Sequence, residues 1–347
     1  MINRIHISEW LAIKAKGVVV LDARSPGEFE KGHIPGAMNL PLLDNEERHL
    51  VGLCYKKNGH DEAVKLGFEL AGAQFIDKIR SAEILAPHRE LLIYCWRGGL
   101  RSQIMAWLLS TSGFNVELLE GGYKSFRNEA LTEFTKQRVV YILGGKTGAG
   151  KTEVLQFLNE LGEQIIDLEG LGSHKGSSFG SLGLPTQPSQ EHFENMLALE
   201  LMKVNKIDHA LWIEDESRFI GKVRIPDSFY SIMVESKIIF IDRSTKSRAH
   251  RILGEYGSFP VEILAERTAA IAKRMGPEQS RDAVNALLQG NQEKWVELLL
   301  DYYDKSYNHS LLRGKRQILL SIECENQSAY QIANQIISSL QKQNVGN

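Results

Sequence analysis

Gly145-Lys146-Thr147-Gly148-Ala149-Gly150-Lys151-Thr152 constrains this chain more than any other stretch, because it fits G-x-x-x-x-G-K-[ST] in full. The apolar run Val139 to Leu143 before it reads as a strand, and Glu153 to Leu161 after it as a helix. A strand that passes through glycines into a helix N-terminus aims its backbone N–H groups at one anion. Gly145, Gly148, Gly150 and Lys151 are therefore candidates for binding a di- or triphosphate, and Thr152 for holding Mg²⁺. Such a loop belongs to an open α/β sheet, whose ligands sit beyond the C-terminal ends of its strands.

A second stretch carries different chemistry. Leu91 to Tyr94 reads as a buried strand, and Cys95-Trp96-Arg97-Gly98-Gly99-Leu100-Arg101-Ser102 leads from it into a helix over Gln103 to Leu109. Gly98 and Gly99 let successive N–H groups form a concave anion cradle, flanked by Arg97 and Arg101. A thiol in such a field is driven toward thiolate, the reactive form. The plainer reading is a buried cysteine behind a surface loop; the glycine pair and two arginines favour Cys95 as a nucleophile.

At 347 residues the chain has room for two cores, and its net charge of −2 leaves any nucleic-acid site to a local patch. No run of about 18 apolar residues and no charged-then-apolar leader occurs, so the expectation is a cytoplasmic protein without membrane partners. Cys54, Cys95 and Cys324 are too few and too scattered for a disulfide framework or a structural metal site.

In the first half, Ile5 to Ile7 reads as an edge strand, with Ser8 capping a helix over Glu9 to Lys14. Val18 to Leu21 is a buried strand ending at Asp22, and Asp22 and Arg24 beyond it suit a structural pair. His33 suits a hydrogen-bonded structural histidine, and Cys54 a small core residue. Gly52 to Gly59 reads as a glycine-bounded basic loop whose Lys56 and Lys57 either face solvent or contact phosphate. Gly121-Gly122-Tyr123 reads as a strand-end turn near the Cys95 loop. The stretch Asp22 to Asn39, with its Gly32-His33-Ile34-Pro35-Gly36-Ala37 string, together with Cys95 to Ser102, resembles the rhodanese domain. That resemblance covers about residues 1 to 130 and implies an α/β sulfurtransferase fold with a chalcogen carried on Cys95. The C-x5-R spacing from Cys95 to Arg101 is one residue longer than in many rhodaneses and matches related phosphatases. Tyr94, where those phosphatases usually have His, counts against that alternative.

In the second half, the strand Gln164 to Leu168 leads into a long Gly/Ser-rich loop from Glu169 to Gly180, which should face the phosphate cradle. A helix is expected from Glu191 to about Lys203. The strand-end acids Glu214 and Asp215 are candidates for holding Mg²⁺, Asp215 with Thr152 being the pair assigned. Arg243, Lys246, Arg248 and Arg251 form a basic run after the strand Ile238 to Asp242 and, with Lys175, are candidate RNA contacts; a solvated face is the plainer reading. Residues 261 to 312 read as helical, with Trp295, Tyr302, Tyr303 and Tyr307 either base-stacking or core. A strand over Gln317 to Glu323 and a helix over Ser328 to Gln341 close the chain.

The fold class expected is α/β: an N-terminal rhodanese-like domain over 1–132 and a C-terminal P-loop NTPase-like α/β domain with a helical segment over 137–347. Tyr94 to Ser102, Gly145 to Thr152, His174 to Gly180, Gln187 to Gln190 and Glu214 to Arg218 together resemble the bacterial tRNA 2-selenouridine synthases. The resemblance implies exchange of sulfur for selenium in wobble 2-thiouridine of tRNA, with selenophosphate and geranyl diphosphate as substrates and no tightly bound cofactor. Catalysis then falls to Cys95, Arg97 and Arg101, with Cys95 attacking the selenium of selenophosphate, and the P-loop holds geranyl diphosphate or a nucleotide. A selenophosphate-supplying enzyme is a candidate partner. The alternatives are a cysteine phosphatase or arsenate reductase with an appended nucleotide kinase-like domain, and an RNA- or nucleotide-binding regulator with a vestigial rhodanese domain.

Overall fold

The computed structural model describes residues 2–204, 210–314 and 316–345. The chain divides into two compact units, Met1–Glu133 with Ser189–Leu199, and Phe134–Pro188 with Glu200–Asn347.

The first unit runs β1 (Asn3–Ile5), α1 (Ile7–Lys14), β2 (Val19–Asp22), α2 (Pro26–Lys31), β3 (Met38–Asn39), α3 (Asn45–Asn58), α4 (His60–Gly72), α5 (Phe75–Leu85), β4 (Glu90–Tyr94), α6 (Leu100–Thr111), β5 (Asn115–Leu119) and α7 (Gly122–Glu133). Its five strands pair in parallel in the order β1-β5-β4-β2-β3. Strands enclosed by helices on both faces are apolar throughout rather than alternating, which is how Val19–Leu21 and Leu91–Tyr94 read. Leu21, Ile93, Met105, Leu109 and Leu118 meet in the core. Cys95 follows the middle strand, β4, with Asp22 in register beside Tyr94.

Two local expectations are corrected. The first strand ends at Ile5, and the cap of α1 is His6, whose Nδ1 accepts from the Ser8 backbone N–H, so Ser8 lies inside the helix. Gly52 to Gly59 is no loop but the second half of α3. Asp44 and Glu47 cap that helix reciprocally at 2.8 and 2.9 Å, enough to carry it past Gly52 to Gly59, where φ is +87°. Lys56 and Lys57 then lie in its last turn, exposed, and Cys54 is half-buried on α3 outside the core cluster.

The second unit runs β6 (Val140–Gly145), α8 (Lys151–Glu160), β7 (Gln164–Ile166), α9 (Leu168–Gly172), α10 (Gln190–Lys203), β8 (Leu211–Glu214), β9 (Phe219–Ile220), β10 (Val223–Arg224), α11 (Asp227–Glu235), β11 (Lys237–Asp242), α12 (Thr245–Tyr256), α13 (Val261–Ala270), α14 (Ala272–Met275), α15 (Pro277–Leu288), α16 (Gln292–Gly314), β12 (Ile318–Glu323) and α17 (Ala329–Val345). The residues of α10 through Leu199 belong to the first unit by their contacts. A five-stranded parallel sheet, β12-β11-β6-β8-β7, places β6 at its centre. The loop after Ile166 opens with the short helix α9, started by the Asp167 carboxylate accepting from Gly170 N–H at 2.7 Å. The helical stretch after 261 breaks into four helices, the second ended by Gly276. Trp295 is buried in the core of this helical part, where its indole N–H donates to Thr268 Oγ1 at 2.9 Å. Among the described residues no helix is long and apolar enough to cross a membrane.

Candidate active sites: a cysteine loop and a phosphate cradle

In the first unit the cysteine loop is laid against the start of α7. Cys95 and Trp96 carbonyls accept from the N–H groups of Tyr123 (2.8 Å) and Lys124 (3.0 Å). The approach is so close that a Cβ on Gly122, whose φ is +60°, would lie 2.3 Å from the Cys95 carbonyl oxygen. Only glycine fits there. Ser102, in the first turn of α6, presents its hydroxyl 3.1 Å from Cys95 Sγ and equally 3.1 Å from the Gly99 carbonyl. A hydroxyl has one proton. With the thiol protonated, Sγ faces the Gly99 carbonyl at 3.7 Å; with a thiolate, the Ser102 proton is free to turn to sulfur.

The two candidate arginines differ. Arg101 is bound to Glu28 of α2, with Arg48 on the same carboxylate at 2.9 Å. Burial alone would raise the Glu28 carboxyl, but the Arg101 hydrogen bond and charge, with Arg48, hold it below its ordinary value. Arg101 is therefore a brace from the loop to α2, while Arg97 is exposed with no ion pair among the described residues. Behind the loop Arg24 is fully buried, chelated by Asp22 (2.7 Å) and stacked on Tyr123, its guanidinium carbon 3.9 Å from the ring centroid. That is the structural pair expected. His33 Nδ1 meets the Phe29 carbonyl at 2.9 Å, a structural histidine as expected.

Nothing along the chain marks 189–199 as packing in this unit. Glu191 accepts from Tyr123 hydroxyl (2.8 Å), Asn195 donates to the His33 carbonyl (2.8 Å), and Arg127 pairs with Glu194 (2.7 Å). His192 lies 4.0 Å from His33, centroid to centroid, with its Nδ1 buried and unpartnered.

In the second unit the strand β6 delivers Gly145 to Thr152 into a cleft of about 1720 Å³. Gly150 has φ +85° and touches the Arg251 side chain so closely that a Cβ would meet it at 2.8 Å. Lys151 Nζ rests on the Gly145 carbonyl at 3.2 Å. Thr152 Oγ1 lies 3.5 Å from Glu169. Carboxylate oxygens of Glu169, Glu214 and Glu216 come within 4.8 Å of one another beside it. Burial first, and then their mutual repulsion, pushes Glu169 up to about 9 and Glu216 up to about 7, and burial raises Glu214 as well.

Asp215 is not in that group, which corrects its assignment as the Mg²⁺ partner of Thr152. It is salt-bridged to Arg316 and accepts from the Tyr307 hydroxyl at 2.8 Å, and that hydroxyl in turn receives Gly145 N–H at 3.1 Å. Asp215 thus positions the end of β6. Glu214, the other strand-end acid, belongs to the group, and its Oε1 is buried without a partner. Glu216 lies in the Glu214 to Arg218 stretch and Glu169 opens the loop after β7, but the sequence assigned neither a role.

The RNA candidates are mostly spent inside the unit. Arg248 is 1% exposed, chelates Asp304 at 2.9 and 2.7 Å, and donates to the Thr147 carbonyl, so it braces the phosphate loop. Arg251 pairs with Glu153, Lys175 with Glu255, and Arg243 bonds Ser247 and the Gln327 carbonyl. Lys246 alone of the five is exposed with no partner among the described residues.

A parallel α/β unit ending its middle strand on a cysteine loop, in one chain with a P-loop α/β unit, defines a rhodanese–P-loop fusion protein. Residues 9–129 match the rhodanese-like domain family, and residues 138–337 match the tRNA 2-selenouridine synthase AAA domain family. The chain is 36% identical over 352 residues to the tRNA 2-selenouridine synthase of Shewanella sediminis, covering 91% of this chain and 94% of that one. It is 38% identical over 363 residues to the enzyme of the same name from Nitrosomonas europaea, covering 90% and 94%. This chain belongs to the tRNA 2-selenouridine synthase family.

Proposed function

We propose that this protein converts wobble 2-thiouridine in tRNA to 2-selenouridine, through an S-geranyl intermediate. The observation that carries the reading is the presence, in one chain related along its length to enzymes of that name, of both a strand-end cysteine beside the Ser102 hydroxyl and a G-x-x-x-x-G-K-T loop opening into a cleft.

The P-loop unit serves geranyl transfer. The base sulfur attacks C1 of geranyl diphosphate, the C1–O bond breaks, diphosphate leaves with the electron pair, and the base gives up its N3 proton. Lys151 and the N–H groups of the cradle bind the leaving diphosphate. Ile252, Ile271, Leu299 and Phe179 in the same cleft supply the apolar wall a geranyl chain requires. Glu169, Glu214, Glu216 and Thr152 fit a divalent cation, since Glu214 keeps a buried oxygen without a partner. Such a cation would neutralise diphosphate charge.

The cysteine unit serves selenium transfer. Thiolate attack on the selenium of selenophosphate would return the P–Se electron pair to phosphorus and release phosphite. For phosphate to leave, the pair must stay on selenium. Cys95 is therefore assigned to C2 of the S-geranyl base: the C2–S bond to geranyl sulfur breaks, and geranylthiolate leaves with the pair. The selenium of selenophosphate then displaces Cys95 from C2, and water cleaves the P–Se bond to give selenouridine and phosphate. Ser102 steadies the thiolate as it departs, and Arg97 faces the phosphate.

The test is mass spectrometry of wobble nucleosides after incubation of tRNA with geranyl diphosphate and selenophosphate. Selenouridine from the wild type, geranyl-thiouridine accumulating in Cys95→Ser, and neither product from Lys151→Ala are expected. Unchanged thiouridine from the wild type, with phosphate released from aryl phosphates, would overturn the reading in favour of a cysteine phosphatase.

A further inference from the structure

The cleft of the second unit is lined by two cations that neither the P-loop nor an acidic partner accounts for. Among its lining cations, Lys175, Arg251 and Arg316 are tied to Glu255, Glu153 and Asp215, and Lys151 sits in the cradle. Arg267 and Arg274 remain, and neither forms an ion pair among the described residues. Arg267 is half-buried near the end of α13, and its Nε is buried with no hydrogen-bond partner. A guanidinium nitrogen buried without an acceptor is costly unless an anion completes it.

The wall around these arginines is firmly built. Ser178 Oγ donates to the Arg267 carbonyl at 3.3 Å, and Ser178 N–H donates to the Tyr303 hydroxyl at 3.4 Å. His174 is buried in the same cleft with Nδ1 unpartnered; burial first, then the Arg267 charge, holds it below its ordinary value, so it brings no competing cation. Tyr302, whose ring centroid is 5.0 Å from that of Tyr303, also lines the cleft and offers an aromatic surface. Planar forks suited to bidentate phosphate binding beside an aromatic surface match one nucleotide of an RNA strand.

We propose that Arg267 and Arg274 form a second anion subsite in this cleft, which grips a phosphodiester of the RNA substrate. The proposal rests on the reading of tRNA as substrate. It replaces Arg248 and Arg251 as the cations that track the RNA backbone.

The experiment is filter binding of an unmodified tRNA transcript to the full chain across a salt series, for wild type, Arg267→Gln, Arg274→Gln and the double variant. Arg274→Glu, at an exposed position, guards against loss of folding. The affinity of pyrophosphate, measured by calorimetry, is the control. The double variant should bind tRNA about tenfold more weakly at low salt, with the slope of log K against log salt reduced by about 1, while pyrophosphate affinity stays within about twofold. Folded variants that bind tRNA as the wild type does would overturn the subsite. So would a parallel loss of pyrophosphate affinity, which would place both arginines in the diphosphate site. Failure of the wild type itself to bind tRNA would remove the function reading and the subsite with it.

Discussion

Ser102 Oγ stands 3.1 Å from Cys95 Sγ, seven residues on and in the first turn of α6, so the helix that follows the loop carries the donor for its sulfur. A hydrogen bond to a charged group is worth about 1.5–3 kcal/mol. Ser102→Ala should therefore slow alkylation of Cys95 by iodoacetamide about tenfold at neutral pH. Peptide mass spectrometry over a time course reads this directly; an unchanged rate would remove Ser102 from the chemistry.

Gly122 and the Cys95 carbonyl cannot both keep their places if a methyl group is added between them. Gly122→Ala places Cβ 2.3 Å from that oxygen and 2.6 Å from Gly98 N, at a φ of +60°. The loop must move by the order of an ångström, which costs about a hundredfold in rate where reacting atoms are positioned. Selenouridine formation should fall by that factor with geranylation retained.

Arg248 should prove structural. Removing one partner of a buried ion pair costs about 3–5 kcal/mol, so Arg248→Ala and Asp304→Ala should each lower the urea midpoint of the second unit. The salt slope of tRNA binding, measured on the folded fraction, should not change.

Glu169 and Glu216 make the second unit sensitive to alkali. Both have an ordinary value of 4.5, and in the fold they stand at about 9 and about 7. Between those limits the native state holds more protons than the unfolded chain, so stability declines as pH rises. The decline starts above about pH 5, is complete for Glu216 just above 7 and continues toward 9 for Glu169. Glu216→Gln should flatten the curve of urea midpoint against pH, and Mg²⁺ should restore more stability at pH 8 than at pH 6.

His192 works in the opposite sense. Burial first, and then His33, holds it at about 4 against an ordinary 6.5. The unfolded chain takes up the proton first, so stability is present above pH 6.5 and is lost as pH falls toward 4. The protection factors of the amides in 190–199, each taken against its intrinsic exchange rate at the same pH, should fall between pH 7 and pH 5, and His192→Phe should abolish that fall.

The sequence by itself determined what depends on neighbours along the chain. Cys95 to Ser102 and Gly145 to Thr152 are strand–turn–helix units, and their apolar runs, glycines and first helical turns are all local. The central strands of both five-stranded sheets, the glycine loops that follow them and the pairing of Asp22 with Arg24 were therefore legible. So was the family. The capping box at Asp44 was local too, but glycine and lysine punctuation hid the helix it starts.

Tertiary structure decided which charges are free. Arg248, Arg251 and Lys175 look like a basic face in one dimension, yet their partners Asp304, Glu153 and Glu255 lie 56, 98 and 80 residues away. Asp215 was lost to Arg316 in the same way, and Glu169 and Glu216 were gathered around Glu214 from different loops. A side chain's charge is written in the sequence, but its availability depends on the ions and solvent that the fold brings within a few ångströms, and that is a property of packing alone.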